Sequence, residues 1–157
     1  MKKYLFFFIV SFFATLSHGY QFAYSDQEIV IPYIIKIKDP SLFRGDLLFS
    51  QPSSTVSIFY YVYGFLSKLF DLQILFFISY LLIQTFFFIL IFHLSRILFK
   101  NSKVAYLSVL PFILPKFIGG TAVTTFDTFF GYRSFGVLFL LLYLILLLKN
   151  RYYLASL

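Results

Sequence analysis

The sequence predicts an all-α integral membrane protein: about four transmembrane helices, a long extracytoplasmic loop with interfacial helices, and both termini in the cytoplasm. Three observations support this. The 157 residues are 61% hydrophobic and 24% aromatic, and only 12% are charged, where soluble domains carry about 25% charge. So short a chain cannot hide that much apolar surface from water, because small domains leave much of their surface exposed. The apolar residues gather in four runs, and the charges lie at the ends of those runs.

The first run covers residues 4–20 (YLFFFIVSFFATLSHGY) and follows Lys2 and Lys3. The same pattern, closing on SHG, also fits a cleavable signal peptide, which leaves the downstream orientation unchanged. The second run, residues 72–92, contains ILFFISYLLIQTFFFILIF. About 20 helical residues match a hydrocarbon core roughly 30 Å thick, so this run spans by length alone. The third, residues 104–118, is shorter and holds Pro111, Pro115 and Lys116. Neighbouring helices can re-satisfy carbonyls freed by proline. Lysine at the bilayer centre costs about 2.5–3.5 kcal/mol, which places Lys116 near an interface. The fourth run, residues 134–148 (SFGVLFLLLYLILLL), spans if Tyr132 and Arg133 snorkel at its start.

Four crossings from a cytoplasmic N-terminus leave Lys2, Lys3, Arg96, Lys100, Lys103, Lys149 and Arg151 inside with no carboxylate, as the positive-inside rule requires. Outside lie Asp26, Glu28, Asp39, Asp46, Asp71 and Asp127, balanced by Lys36, Lys38, Arg44, Lys68, Lys116 and Arg133. Without the third crossing, Lys149 and Arg151 fall outside.

Composition removes several chemistries. The chain has no Cys, which excludes disulfides, thiolate metal sites and cysteine nucleophiles. Its two His, His18 and His93, lack zinc-binding spacing and read as interfacial packing. A net charge of +7 suits a polyanion, but nucleic-acid binders gather Lys and Arg on one soluble face; no nucleic-acid partner is expected. Ser79, Gln84 and Thr85 in the second run read as interhelical hydrogen bonds.

The outer loop, residues 21–71, is too apolar for a free connection. EIVIPYIIKIK and residues 54–70 (STVSIFYYVYGFLSKLF) read as amphipathic helices in the interface. The first should run over residues 25–38 with Pro32 as its weak point; DPSLFRGD and SQPSS are turns. Residues 20–46 hold four of the six carboxylates, and two readings compete for them. In one, Ser25 and Glu28 form a capping box, Asp26 sits where the helix dipole favours it, and Asp39 and Asp46 are turn acids. In the other, a carboxylate partly desolvated at the mouth of a bundle serves as a general base. On a helix Asp26 and Glu28 point about 200° apart and cannot chelate one ion, whereas on a strand they share a face. The sequence supports no cofactor, a divalent metal included.

A second outer patch, residues 119–136 (GGTAVTTFDTFFGYRSFG), includes the connector 119–133. Gly119 and Gly120 free its backbone, and Asp127 and Arg133 lie among Phe126, Phe129, Phe130 and Tyr132. It reads as an aromatic-belt connector. A sharper alternative has Arg133 gripping a phosphate while Asp127 joins Asp26 across a cleft.

This layout resembles the N-terminal region of GT-C-type integral membrane glycosyltransferases, which use polyprenyl-phosphate-linked sugars. SDQEIVIPYIIKIKDPSLFRGDLLF looks like the first-loop pattern of bacterial multi-pass proteins of that architecture, and GGTAVTTFDTFFGYRSFGVLFLLLYLILLLKNRYYLASL resembles their next outer loop and helix. The resemblance implies sugar transfer from a lipid-phosphate donor at the extracytoplasmic face of a bacterial inner membrane. Asp26 would be the base with Glu28 as runner-up, and Arg44 or Arg133 would steady the donor phosphate. The usual acids of that class are adjacent, whereas Gln27 separates them here. Such proteins carry many more spans, so the resemblance also implies a piece of a longer chain. Two other classes stand beside it. One is a noncatalytic small membrane subunit. The other is a transporter component, which needs ionisable residues within its spans.

Overall fold

In the computed structural model, which describes residues 2–50, 57–115, 117–118, 123–124 and 126–149, the longest apolar run is the central helix. α5, counted in chain order, covers Leu72–Phe99 with 28 residues, about 42 Å at 1.5 Å per residue. Asp71 starts it, its carboxylate accepting from the backbone N–H of Gln73 at 2.9 Å and of Ile74 at 3.2 Å. Lys100 ends it in the left-handed region, at φ +52°. Among the described residues α5 is the one helix long and apolar enough to cross a membrane. α1 (Lys2–His18) and α7 (Arg133–Leu148) are apolar but shorter, and both pack along α5. Among the described residues the regular structure is helical apart from a two-residue antiparallel ladder, β1 (Phe117–Ile118) with β2 (Val123–Thr124).

The buried face of α5 repeats at helical spacing through Phe76, Tyr80, Ile83, Phe87, Ile91 and Ser95. Phe7, Val10 and Ala14 of α1 pack into the same core. A chain of hydrogen bonds crosses that core. Thr15 Oγ1 donates to Gln84 Oε1 at 2.7 Å, Gln84 Nε2 to Tyr80 Oη at 3.1 Å, and the Tyr80 hydroxyl to the Asp127 carbonyl at 2.9 Å. Beside it Thr85 Oγ1 donates to Ser11 Oγ at 2.9 Å. Buried polar groups must find partners, and these do so between helices, as read from the sequence for Gln84 and Thr85. Ser79 accepts instead from the Tyr63 hydroxyl of the loop region, at 2.8 Å.

The helix expected over residues 104–118 does not form as one piece. α6 (Ser102–Leu107) begins under the Asn101 side chain, which accepts from the Lys103 N–H at 2.9 Å. It stops at Leu107 because Pro111 has no N–H to donate to the Leu107 carbonyl. A 3₁₀ turn (Leu110–Phe112) and the β1–β2 ladder follow. Lys116, Gly119, Gly120 and Arg151 lie outside the described residues. This broken path nevertheless travels along α5. Tyr106 meets Phe92 at 4.7 Å, Phe112 and Phe126 meet Phe87 at 5.4 and 4.6 Å, and Phe130 meets Phe76 at 5.3 Å. α7 therefore starts beside the Leu72 end of α5. It finishes at the opposite end, where the charges of Lys149, Lys3 and Arg96 all act on His93. His18 is buried against Phe126, with ring centroids 6.1 Å apart.

Both loop helices are present and shorter than expected. α2 (Gln27–Lys38) runs through Pro32 unbroken. α4 (Ile58–Leu66) is capped by Ser57, which accepts from the Phe59 N–H at 3.3 Å; Ser54 lies outside the described residues. α3 (Leu47–Ser50) tucks Phe49 against Tyr33 at 4.7 Å, and Lys36 Nζ donates to the Phe49 carbonyl at 2.6 Å. α2 and α4 pack closely at Gly64, where an added Cβ would come within 2.5 Å of Ile37 Cγ2 and 2.8 Å of its Cβ. Gly64→Ala should therefore lower stability by about 1–3 kcal/mol through overpacking, read as a lower thermal midpoint of the purified protein. Gly136→Ala is the control. A Cβ there meets nothing within 4 Å, so the midpoint should hold or rise by the helix-propensity difference.

Candidate functional site

The acidic start of α2 does not form the capping box expected from Ser25 and Glu28. An N-cap residue needs extended backbone to aim its side chain at the first turn, and Ser25 instead takes φ +54°. The cap position falls to Asp26, in helical conformation (φ −56°, ψ −22°) and without a side-chain capping bond. Its carboxylate is engaged elsewhere: Arg133 Nη2 donates to Asp26 Oδ2 at 2.8 Å. The pair joins the beginning of α2 to the first residue of α7, across 107 positions of chain (133 minus 26). Arg133 stands at the positive end of the α7 macrodipole, where an anion is favoured and a cation opposed. That placement sharpens the arginine's demand for a negative partner.

This ion pair does not hold the two segments together. Its side chains are 36% exposed at Asp26 and 60% at Arg133, and such solvent-screened pairs contribute about 0–1 kcal/mol. The clamp is Gln27, only 1% exposed. Its Nε2 donates to the Phe130 carbonyl and its Oε1 accepts from the Ala23 N–H, both at 2.7 Å. The Gln21 N–H adds a bond to the Thr128 carbonyl at 2.7 Å. The Phe130 ring itself is fully buried, within 5.9 Å of Phe59, Tyr63, Phe76 and Phe135 by ring centroids.

Around the pair opens a cleft of about 380 Å³ lined by Asp26, Ile29, Val30, Tyr33, Tyr60, Tyr132 and Arg133. Tyr33 and Tyr60 stack at 5.6 Å. Burial raises the Tyr60 phenol above its ordinary value, and neighbouring Tyr132 and Tyr33 push the same way, so it stays a neutral donor. A second, apolar cavity of about 400 Å³ runs between α4 and α7, lined by Ser57, Ile58, Phe59, Val62, Tyr63, Tyr132, Phe135 and Phe139. Tyr132 lines both. The cleft offers a cation and a carboxylate, and the cavity on the other side of Tyr132 offers an apolar slot.

Of the residues singled out in the sequence, the fold brings together Asp26 and Arg133. Glu28 is exposed on α2 and does not line the cleft. Asp127 lies beside Tyr80, which donates to its carbonyl, and is likewise off the cleft wall; the partner that reaches Asp26 is Arg133 itself. Arg44 is exposed in the turn after α2, where its charge acts on Asp39. Asp39 is a turn acid. The Ser41 hydroxyl and N–H donate to it at 2.6 and 2.9 Å and hold its carboxyl below the usual range. Among the described residues no three His, Asp or Glu side chains converge as metal ligands would.

Sequence reasoning named Tyr132 beside Arg133 but missed the roles of Gln27, Tyr33 and Tyr60. The signal was in the helical period of α2. Residues 26, 29, 30 and 33 share one face and line the cleft, and Val30 joins Gln27 and Ile34 as the buried residues beside it. Gln27→Leu should leave the buried Phe130 carbonyl unpaired and take the partner from the part-buried Ala23 N–H, costing about 1–3 kcal/mol. Asp26→Asn should cost no more than about 1 kcal/mol. Thermal unfolding of the two variants checks the order.

Comparison with protein-family models, with curated proteins and with solved structures gives no match.

Proposed function

We propose that the chain is a multi-span membrane protein of the glycosyltransferase kind, which takes a sugar from a lipid-phosphate donor at the Asp26–Arg133 cleft. The observation that carries this reading is the sharing of Tyr132 between that cleft and the apolar cavity. A donor of this class has an anionic head and a long apolar tail. Arg133 suits the head, since its planar guanidinium matches phosphate oxygens, and the slot along Phe135 and Phe139 suits the tail.

The membrane part of the reading rests on the exterior of the bundle. α1 exposes Leu5, Phe8, Phe12, Phe13 and Leu16; α5 exposes Ile78, Leu82 and Phe86; α7 exposes Phe139, Leu140 and Leu142. Water-soluble proteins rarely expose apolar surface over such contiguous areas. No Asp, Glu, Lys or Arg interrupts residues 4–25, 72–95 or 134–148. Lys3, Arg96 and Lys149 cluster at one end, the end that the positive-inside rule assigns to the cytoplasm. Non-helical backbone is tolerated at membrane depth where protein buries it, which accommodates the broken path after α6. Helices of 17 and 16 residues, α1 and α7, fit by local thinning and snorkelling ends.

In the proposed reaction the acceptor hydroxyl gives its proton to Asp26 while its oxygen bonds to the anomeric carbon of the sugar. The bond from that carbon to the phosphate oxygen breaks, and its electron pair leaves on the lipid phosphate beside Arg133. The phenols of the cleft wall donate to sugar hydroxyls.

Two outcomes follow. Because the chain has no Cys, single cysteines report sidedness cleanly. Ser41→Cys should react with a membrane-impermeant maleimide in intact cells, and Lys103→Cys and Lys149→Cys only after permeabilisation. Labelling of Lys149→Cys from the Ser41 side would rule out the crossing between α6 and α7. For the site, a photoreactive farnesyl phosphate should label peptides carrying Phe135 and Phe139. Arg133→Gln should cut that labelling about tenfold, the loss of one charge-assisted hydrogen bond. With a short-chain polyprenyl-phosphate sugar as donor, Asp26→Asn should lower transfer by about 10²–10⁴. Labelling unchanged in Arg133→Gln removes the reading.

A further inference from the structure

We propose that the Asp26–Arg133 pair is an exchangeable lock: an anionic headgroup entering the cleft takes Arg133 from Asp26, and only then is the Asp26 carboxylate free to act as a base. The inference rests on the reading of the cleft as a lipid-phosphate site and concerns how that site is opened.

Three features support exchange. First, both partners line the same cleft and are bonded to each other at 2.8 Å. A phosphate and the Asp26 carboxylate therefore compete for one guanidinium. The phosphate carries more charge and three acceptor oxygens, and it matches the arginine fork. Second, water reaches both groups, so the bond to be broken is weak. Third, the frame does not depend on that bond. Gln27 follows Asp26 directly, is buried, and ties the first turn of α2 to Phe130 and Ala23 through two bonds of 2.7 Å. Gln21 ties the preceding strand of chain to Thr128. Asp26 can let go of Arg133 while α2 and α7 keep their places, and its carboxylate then remains on the cleft wall, two turns before Tyr33 on the same face.

A lock of this kind has an unusual signature, because the group that performs the chemistry weakens binding of the donor. The test uses the full chain in phosphatidylcholine nanodiscs, titrated with farnesyl phosphate at about 0.15 M salt. Asp26→Asn should bind farnesyl phosphate about two- to fivefold more tightly than the unaltered protein, the range an exposed ion pair supports. Farnesol, with the same tail and no phosphate, should bind both alike. Inorganic phosphate should show the same gain as farnesyl phosphate, since the exchange involves the head alone. Glu28→Gln removes an equal charge two residues away on an exposed side chain and should leave affinity unchanged.

Equal or weaker binding of farnesyl phosphate to Asp26→Asn overturns the lock. So does an equal gain in Glu28→Gln, which would be a general field effect, or a gain for farnesol, which would be a packing effect. If Arg133→Gln binds farnesyl phosphate as well as the unaltered protein does, the lipid-phosphate reading itself falls and the lock with it. That result is distinct from every failure of the lock alone.

Discussion

Phe130 is held twice. Its ring fills the centre of an aromatic cluster drawn from α4, α5 and α7, and its carbonyl accepts the amide of a buried glutamine. α7 begins three residues later, so this double attachment decides where Arg133 stands and which way the last helix runs. The cleft, the ion pair and the tyrosine wall all inherit their geometry from it. Removing either attachment would leave buried polar backbone or an aromatic void, both of which cost more than an exposed salt bridge contributes.

The break after α6 creates the need for that attachment. Pro111 cannot continue the helical ladder, so the chain covers the length of α5 by a short helix, a 3₁₀ turn and an antiparallel ladder. Such a path frees backbone carbonyls that must be paired where water is scarce. Three of the described partners are side chains or backbone from distant elements: Tyr80 on Asp127, Gln21 on Thr128 and Gln27 on Phe130. The side-chain partners are large and buried. The polar chain from Thr15 through Gln84 to Tyr80 extends this support across the core to α1. Tyr80 thus belongs both to the polar chain between the helices and to the set that pins the returning segment to them.

The division of labour at the acidic end follows from burial. Gln27 is neutral, so it can be buried at the cost of two hydrogen bonds and can fix position. Asp26 and Arg133 are charged, so they stay within reach of water and remain able to change partners. A buried ion pair in the same place would have been harder to form and harder to open.

The amino-acid order by itself determined the helical class, the apolar runs and the placing of charges at the ends of those runs. These depend on composition and on local period, which each segment carries with it. It also placed the starts of α5 and α6 in reach of side chains that cap them, since Asp71 and Asn101 act on residues two and three positions on. It misplaced the start of α2, because Ser25 takes a left-handed backbone that the local pattern S-x-x-E does not disclose. It also read residues 104–118 as one span, although the proline that stops α6 was visible. Only the tertiary structure decided that Asp26 meets Arg133 rather than Asp127, that Arg44 and Glu28 stand aside, and that Gln27 is the clamp. Those outcomes depend on contacts more than 100 positions apart in the chain. The return path of a broken segment sets them, and no local period encodes that path.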